Sequence, residues 1–291
     1  MAVLRNGTAM YRAKGQGRNS YQVFDERMHA GVVAMLQIEN DLRHALERAA
    51  LAVYYQPIIR LSDSAVIGLE ALVRWPHPAR GLVSPADFIP VAEDTGLIVP
   101  LDQWVLGEAC RQLAAWRARG IVPEGTSVSS NVSSRAFNRG NIVATVESAL
   151  AATAIPPSCL KVEITESAII DNPESAKAML EKLKGLGVHL SIDDFGTGYS
   201  SLSYLHSFPF DNLKIDRAFV ARMGPSGENW EIVHAIINIA NSLRMEVIAE
   251  GIETAEQYQT LQSLGCDAGQ GYYMARPMPA DGVEEFLRER S

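Results

Sequence analysis

The sequence is poor in cysteine, in basic residues and in long apolar runs, and each deficit excludes a class of protein. Its three cysteines, Cys110, Cys159 and Cys266, form no CxxC spacing, which argues against a disulfide framework or a thiolate metal site. The 26 lysine and arginine residues face 34 aspartate and glutamate residues, and a net charge of -8 argues against a general surface for duplex nucleic acid. We therefore expect a domain of the reducing cytoplasm that meets any anionic ligand at a local positive site.

No stretch reaches the roughly 18 apolar residues of a membrane span. The N-terminus also lacks the basic and then apolar segments of an export signal. The sequence thus predicts no membrane contact by this chain, although a parent protein attached to a membrane through upstream domains stays open. With 291 residues, 47% of them hydrophobic, the chain has the size of a single α/β barrel.

Eight short strand-like runs follow one another, and most precede a segment of helical periodicity. This alternation predicts a TIM-like (β/α)8 barrel, an α/β fold. Helix starts are indicated by Ser84-Pro85 and Asn172-Pro173, and a helical run over 100–119 ends at Gly120. In chain order, the strand-like runs are AVYYQPII, VIGLEALV, SVSSNVS, LKVEITE, HLSIDD, NLKID, EVIAE and DAGQGYY.

The link between the first two runs is too short for a parallel crossover. Only Leu61 to Ser64 separates them, which permits a hairpin. The first strand is therefore expected to run antiparallel to the second, and a turn centred on Asp63 places Gln56 opposite Glu70.

Every predicted strand carries a polar residue near one end of the barrel, and in such barrels the active site lies at the C-terminal strand ends. Converging carboxylates and an amide form a hard-oxygen environment that suits Mg²⁺ or Mn²⁺ rather than zinc. Two such ions suit the attack of water on a phosphate ester. The residues are Gln56, Glu70, Asn131, Glu163, Asp193, Asp194, Lys214, Glu250 and Gln270.

Three patterns at this end leave alternatives open. The adjacent Asp193 and Asp194 either serve bound cations or make a cap or turn. Lys214 either acts on water and phosphate or pairs with Asp216. The FGTGYSS run fails as a dinucleotide fingerprint because Ser201 stands where glycine is needed, so we interpret it as a loop that gates the site.

Taken together, these motifs resemble the EAL-type phosphodiesterases, which hydrolyse the bacterial second messenger cyclic di-GMP to linear pGpG. The resemblance covers about residues 35 to 290, and its namesake is Glu70-Ala71-Leu72 within GLEALVRW. It is carried further, in family order, by YYQPI, SNVS, VEITES, SIDDFGTGYSS, NLKID, IAEGIET and GQGYY. A catalytically silent cyclic di-GMP receptor or interaction module of the same fold is the alternative.

The resemblance implies two Mg²⁺ or Mn²⁺ ions per site, inhibition by Ca²⁺, and roles for individual residues. The first ion is assigned to Glu70, Asn131, Glu163 and Asp193, and the second to Asp193, Asp194 and Glu250. Glu70, Asp193, Lys214 and Glu250 form the catalytic set, with Lys214 orienting the water and Glu250 as general base. Substrate contacts are assigned to Gln56, Arg74, Gln270 and Tyr273, and supporting roles to Glu166, Thr197, Asp216 and Glu253.

The N-terminus carries a second resemblance. TAMYRAKGQGRNSYQVF is similar to the last helix and strand of a GGDEF diguanylate cyclase domain. We therefore expect residues 1–25 to be the remnant of an upstream GGDEF domain and residues 26–291 to form the EAL barrel. The family also implies a homodimer, to which the region 229–243 is a candidate contributor, although its apolar face is equally explained as core.

Overall fold

The computed structural model describes residues 26–170, 172–196, 205–223 and 230–290. The predicted GGDEF remnant, residues 1–25, lies outside the described residues, as do Thr197 and the part of the FGTGYSS run that follows it. The described chain divides into two compact units. Residues 26–51 and 75–97 belong to the smaller unit, and residues 52–74 and 98–290 to the larger.

The smaller unit contains two helices and a short hairpin. Helix α1 is Glu26–Glu47 and helix α2 is Pro85–Thr95; strand β3, Gly81–Val83, pairs antiparallel with the last residues of β2, Val66–His77. The sequence reading did not include β3.

Burial of large apolar side chains holds the smaller unit together. The Trp75 ring meets the Phe88 ring edge to face at 5.5 Å, and Leu42 is fully buried. The predicted start of α2 is confirmed, since the Ser84 side chain caps the helix by accepting a hydrogen bond from Ala86 N, and Pro85 is its first residue.

Eight strands close into a barrel in the larger unit, which confirms the predicted TIM-like architecture. The order around the barrel is β1-β9-β8-β7-β6-β5-β4-β2, and a β1–β2 pairing closes it. As predicted, β1 runs antiparallel to β2, and it is antiparallel to β9 as well; the other pairs within the barrel are parallel. Besides β2, the strands are β1 Ala52–Arg60, β4 Ser127–Val132, β5 Leu160–Thr165, β6 His189–Phe195, β7 Asn212–Ile215, β8 Glu246–Ala249 and β9 Ala268–Gly269.

The predicted helix signals of the larger unit are also confirmed. The run over 100–119 forms α3, Ile98–Ala118. The Asn172 side chain caps α7, Pro173–Gly185, by accepting a hydrogen bond from Ser175 N at 3.2 Å. Among the described residues, no helix combines the length and the apolarity needed to cross a membrane. The remaining helices are α4 Ser134–Arg139, α5 Ile142–Thr153, the 3-10 helix Pro157–Cys159, α6 Glu166–Ile170, α7 Pro173–Gly185, α8 Arg217–Ala221, α9 Trp230–Ser242, α10 Ala255–Ser263 and α11 Ala280–Arg288.

Strand register brings the polar residues to one end of the barrel interior. Gln56 pairs with Glu70, Asn131 pairs with Glu163, and Thr165 pairs with Asp193. Successive residues of a strand point to opposite faces of the sheet, so the residues next to these polar ones in each strand point away from the barrel interior. They are apolar and buried, for example Val162, Ile164, Leu190, Ile192 and Leu213. Inside the barrel, Ile58, Ile248 and Ala268 form an apolar cluster.

Candidate active site

The centre of the site is the ammonium group of Lys214, which is fully buried among four carboxylates. Its Nζ lies 2.5 Å from Glu250 Oε1 and 2.8 Å from Glu163 Oε2. Asp193 Oδ1 at 3.5 Å and Glu70 Oε2 at 3.6 Å complete the shell. Three strands supply Glu70, Glu163 and Asp193, Glu250 directly follows a fourth, and a fifth supplies the lysine, so only the closed barrel brings them together.

The alternative that pairs Lys214 with Asp216 is not what the structure shows. Among the described residues, the ion pairs of Lys214 are the four just given. Asp216 instead caps helix α8, where its Oδ1 accepts a hydrogen bond from Ala218 N at 2.9 Å. It also lines the pocket above the site.

Two amides hold the Glu70 carboxylate in place. Asn131 Nδ2 donates to Glu70 Oε1 at 2.7 Å, and Gln270 Nε2 donates to Glu70 Oε2. Gln270 Nε2 also lies 3.2 Å from Glu250 Oε1, so one amide bridges two carboxylates. Charge-assisted hydrogen bonds of this kind fix both the position and the ionised state of the acceptor.

The pKa values of the buried carboxyl groups shift in different directions. Burial, together with the nearby Glu70 and Asp193 charges, raises the pKa of Glu163 to about 8 despite Lys214. Burial and the Asp193 charge likewise raise the pKa of Glu250 to about 8. Burial also acts on Glu70, but there Lys214 and the two amide donors prevail and lower its pKa below the usual value.

Lys214 stays protonated in this environment. Burial opposes its charge, yet the carboxylates of Asp193, Glu163 and Glu250 together hold its pKa well above the ordinary lysine value. The side chain is therefore a fixed positive charge and a hydrogen-bond donor rather than a proton acceptor.

The adjacent aspartates are held in an unusual local geometry. Asp194 adopts a left-handed backbone conformation with φ of 55°, and its N–H donates to Asp193 Oδ1 at 2.9 Å. Burial comes first, then the charges of Asp193 and Asp216, among the causes that raise the pKa of Asp194 to about 6. The turn thus directs both carboxyl groups toward the same pocket, which both of them line.

This pocket has a volume of about 340 Å³ and opens above the carboxylate shell. Predicted site residues supply most of its wall, while Asn131, Glu163 and Lys214 are connected to that wall by hydrogen bonds or ion pairs. The predicted residues that line it are Gln56, Glu70, Arg74, Asp193, Asp194, Asp216, Glu250, Glu253 and Gln270.

Three side chains of the wall, Leu72, Arg217 and Pro277, had no role assigned from the sequence. Arg217 had a usable signal, because it directly follows the NLKID motif. Tyr272, the neighbour of the predicted Tyr273, also lines the pocket.

Among the predicted substrate contacts, Gln56 and Arg74 line the pocket but Tyr273 is not part of its wall. Gln56 is buried, and its Nε2 donates to Ala275 O at 3.0 Å. The Arg74 guanidinium donates to Val73 O at 2.8 Å and lies 5.6 Å from the centre of the Tyr54 ring. The Tyr273 ring packs 5.9 Å from the Tyr258 ring. Its substrate contact stays a prediction, and the neighbouring Tyr272 has the better position.

The supporting residues are placed as follows. Glu166 Oε2 accepts a hydrogen bond at 3.1 Å from Gly196 N, where the FGTGYSS run begins. Glu253 is exposed at the rim, and its backbone N–H donates to Gln257 Oε1 at 2.7 Å. Thr197 lies outside the described residues, so its role stays a prediction.

The donor set of the site fits divalent cations. Four carboxylates surround one ammonium group, which leaves an excess of negative charge when they are ionised. Glu163 Oε1 and Gln270 Oε1 are buried without a hydrogen-bond partner among the described atoms, and such oxygens suit hard cations. In the described residues, however, no three His, Cys, Asp or Glu side chains are arranged to hold a metal as they stand. The individual metal ligands therefore stay predictions.

Comparison with known proteins identifies a family and characterised relatives. Residues 39–277 match the EAL domain family. The chain is 44% identical over 273 residues to the bifunctional diguanylate cyclase/cyclic di-GMP phosphodiesterase MucR of Pseudomonas aeruginosa, covering 94% of this chain and 40% of MucR. It is 40% identical over 288 residues to the cyclic di-GMP phosphodiesterase PdeR of Escherichia coli, covering 99% of this chain and 43% of PdeR.

A solved structure agrees with the sequence comparison. The structure of the PaMucR phosphodiesterase in complex with c-di-GMP superimposes with a TM-score of 0.81 at 42% identity, covering 85% of this chain and 99% of the other. The chain spans only about two fifths of the length of the curated relatives MucR and PdeR. EAL phosphodiesterases are in general metal-dependent.

Proposed function

The chain belongs to the EAL domain family, and on that premise we propose that it hydrolyses cyclic di-GMP to linear pGpG. The observation that carries this proposal is the burial of Lys214 among Glu70, Glu163, Asp193 and Glu250 directly beneath an open pocket. An ammonium group so deeply buried among carboxylates is costly for folding alone, since such clusters contribute little net stability. The presence of Lys214 at this position therefore favours a catalytic role.

Recognition of the substrate falls to the rim of the pocket. Arg74 offers a planar fork of N–H donors that matches a phosphodiester, and it stands beside the acidic cluster rather than within it. Gln56 lies opposite Glu70 and keeps its amide oxygen for a ligand, because its amide nitrogen already donates to Ala275 O. The exposed ring of Tyr272 supplies a face on which a guanine base can stack.

Two divalent cations, Mg²⁺ or Mn²⁺, belong to the proposal. Glu70, Asn131, Glu163 and Asp193 would hold one, and Asp193, Asp194 and Glu250 the other. Ions held there would supply Lewis-acid polarisation of the phosphate and of water. When its carboxyl groups are ionised, the acidic cluster needs such cations, because Lys214 balances only one of the negative charges.

The protein groups divide the remaining work. Lys214 remains protonated, so its Nζ orients the attacking water and balances nearby negative charge, but it does not accept a proton. Glu250 both contacts Lys214 through Oε1 and lines the pocket, so that carboxylate is the proposed proton acceptor. Glu70 is held ionised by the charge of Lys214 and by its two amide donors, and it is the less suitable base.

Further parts of the proposal concern the parent protein. Its relatives are longer proteins, and MucR is named a bifunctional diguanylate cyclase/cyclic di-GMP phosphodiesterase, which supports an upstream GGDEF domain as partner. A homodimer and a cytoplasmic location are proposed with it.

The test is an assay of the purified protein with cyclic di-GMP and Mg²⁺ or Mn²⁺, in which the nucleotides are separated by chromatography. EDTA and Glu70→Ala are expected to abolish pGpG formation, whereas Glu181→Ala, which removes an exposed carboxylate of helix α7, is expected to preserve it. Tight binding of cyclic di-GMP without product would refute the hydrolase and favour the silent receptor. Neither binding nor product would refute both.

A further inference from the structure

A second cleft lies at the end of the barrel opposite the pocket. It is formed where β1 ends, where β2 begins, and along the loop that leads from α3 into β4. Its volume is about 670 Å³, roughly twice that of the pocket above Lys214 and within the range of small-molecule sites. None of its lining residues belongs to the proposed catalytic machinery.

The charge of this cleft differs from that of the acidic site. Two arginines line it, Arg60 and Arg290, against a single acidic residue, Glu124. Arg60 Nη1 donates to Asp63 Oδ2 at 2.8 Å, which leaves most of its five N–H donors for another acceptor. The Arg290 guanidinium lies 4.7 Å from the centre of the Phe286 ring and has no carboxylate partner among the described residues.

The rest of the wall offers an apolar surface. Thr126 lines the cleft, but it is 2% exposed and its Oγ1 is buried. Much of the remaining wall is apolar, and its members are Ala65, Val66, Ile67, Ile121, Val122 and Leu287.

We propose that this cleft binds a phosphate monoester joined to an aromatic or apolar group, the chemistry of a mononucleotide. Arg290, which has no carboxylate partner among the described residues, and the N–H donors of Arg60 that Asp63 does not use would bind the phosphate oxygens. The apolar wall then covers the ring.

The position of the cleft gives such a ligand access to the strands that build the catalytic end. Arg60 ends the strand that carries Gln56, Ile67 lies three residues before Glu70, and Thr126 precedes the strand that carries Asn131. A bound mononucleotide would therefore contact these three strands at one end while the substrate occupies the other.

The experiment is a calorimetric titration of the full chain with 5′-AMP, in which adenine keeps the probe distinct from the guanine substrate. Arg60→Ala and Arg290→Ala are each expected to weaken binding by roughly tenfold or more. Both side chains lie at the surface, so these variants are expected to fold. The matched control is Arg119→Ala, since Arg119 adjoins the cleft in the sequence but does not line it, and both of its terminal nitrogens donate to Glu284, at 2.7 and 2.8 Å. The affinity of this variant for 5′-AMP is expected to match the wild type.

Three comparisons complete the design. Adenosine without phosphate and inorganic phosphate without a ring are each expected to bind roughly tenfold more weakly than 5′-AMP. Arg74→Ala, which alters the catalytic pocket, is expected to leave 5′-AMP binding unchanged. No measurable binding to the wild type, equal weakening by Arg119→Ala, or loss of binding in Arg74→Ala would overturn the proposal.

Discussion

Gln56 lies directly opposite Glu70 across the antiparallel pair of β1 and β2, and both side chains line the same pocket. One of the two is a proposed substrate contact and the other a proposed metal ligand. A shift of one residue in this pairing would turn one of them to the other face of the sheet. The β1–β2 hairpin therefore sets the distance between recognition and chemistry.

Replacement of Asp193 by asparagine is expected to reduce kcat by on the order of 100-fold or more, because the change removes a charge assigned to both cations. Asp63→Asn, at an exposed turn at the other end of the barrel, is the matched control and is expected to leave kcat unchanged. Steady-state kinetics with cyclic di-GMP measures both. A kcat for Asp193→Asn near the wild-type value would contradict the assigned role.

Replacement of Lys214 by methionine is expected to destabilise the metal-free protein by about 3–5 kcal/mol at neutral pH, because it leaves buried carboxylates without their cation. Urea unfolding in EDTA measures the change. Lys182→Met, at an exposed position of α7, is expected to cost less than about 1 kcal/mol. Equal stability of the two variants would show that Lys214 does not hold the cluster.

The stabilisation of the protein by Mg²⁺ is expected to grow as pH rises from about 5 to 8. In the folded, metal-free protein the pKa values of Glu163 and Glu250 are about 8, against 4.5 for an ordinary glutamate. Protonation of these two groups therefore stabilises the metal-free fold, and this contribution is complete at pH values below 4.5. The contribution is lost as the pH rises through the folded-state pKa values of about 8. Bound cations restore the stability by pairing with the ionised carboxylates.

Thermal unfolding with EDTA and with Mg²⁺ at each pH measures this linkage. Groups outside the site, including the histidines, affect both melting temperatures alike at a given pH, so their contribution cancels in the difference. A difference that stays constant or shrinks with rising pH would contradict the prediction.

Ca²⁺ in place of Mg²⁺ is expected to suppress turnover while cyclic di-GMP still binds. The larger ion accepts looser coordination and would misplace the attacking water. Initial rates with each ion, beside a binding isotherm in Ca²⁺, measure the two effects separately. Equal rates in the two ions would refute the expectation.

Replacement of Arg74 by alanine is expected to raise KM by roughly tenfold or more, with a smaller effect on kcat, because it removes a phosphate contact at the rim rather than a group of the carboxylate shell. Arg74→Lys keeps the charge but loses the fork, so its KM is expected to fall between those of the wild type and Arg74→Ala. A KM unchanged in both variants would remove Arg74 from the recognition set.

The barrel and its reversed first strand were predictable because local chemistry decides them. Four residues between two strands allow only a hairpin, and the centre of that turn fixed the Gln56–Glu70 pairing. Alternation within strands such as LKVEITE then separated the buried apolar face from the polar one. The caps at Ser84 and Asn172 acted through adjacent residues in the same way.

What the sequence could not supply depends on geometry between distant segments. The pairing of Lys214 with four carboxylates requires the closed barrel, whereas the motif NLKID offered only Asp216 as a nearby partner. The choice between Tyr272 and Tyr273 as the pocket wall depends on how the chain turns after Gln270. In that turn, Gly271 lies so close to the backbone of Ile252 that any Cβ would overlap it.

The reversed first strand also decides where the polypeptide enters the barrel. Ala52, the first residue of β1, pairs with Arg74 at the catalytic end. An all-parallel barrel would instead receive its chain at the opposite end, away from the chemistry. The backbone before Ala52 is therefore separated from Arg74, the proposed phosphate contact, by a single strand pairing, so a change in how the chain enters the barrel is felt first at the proposed recognition end.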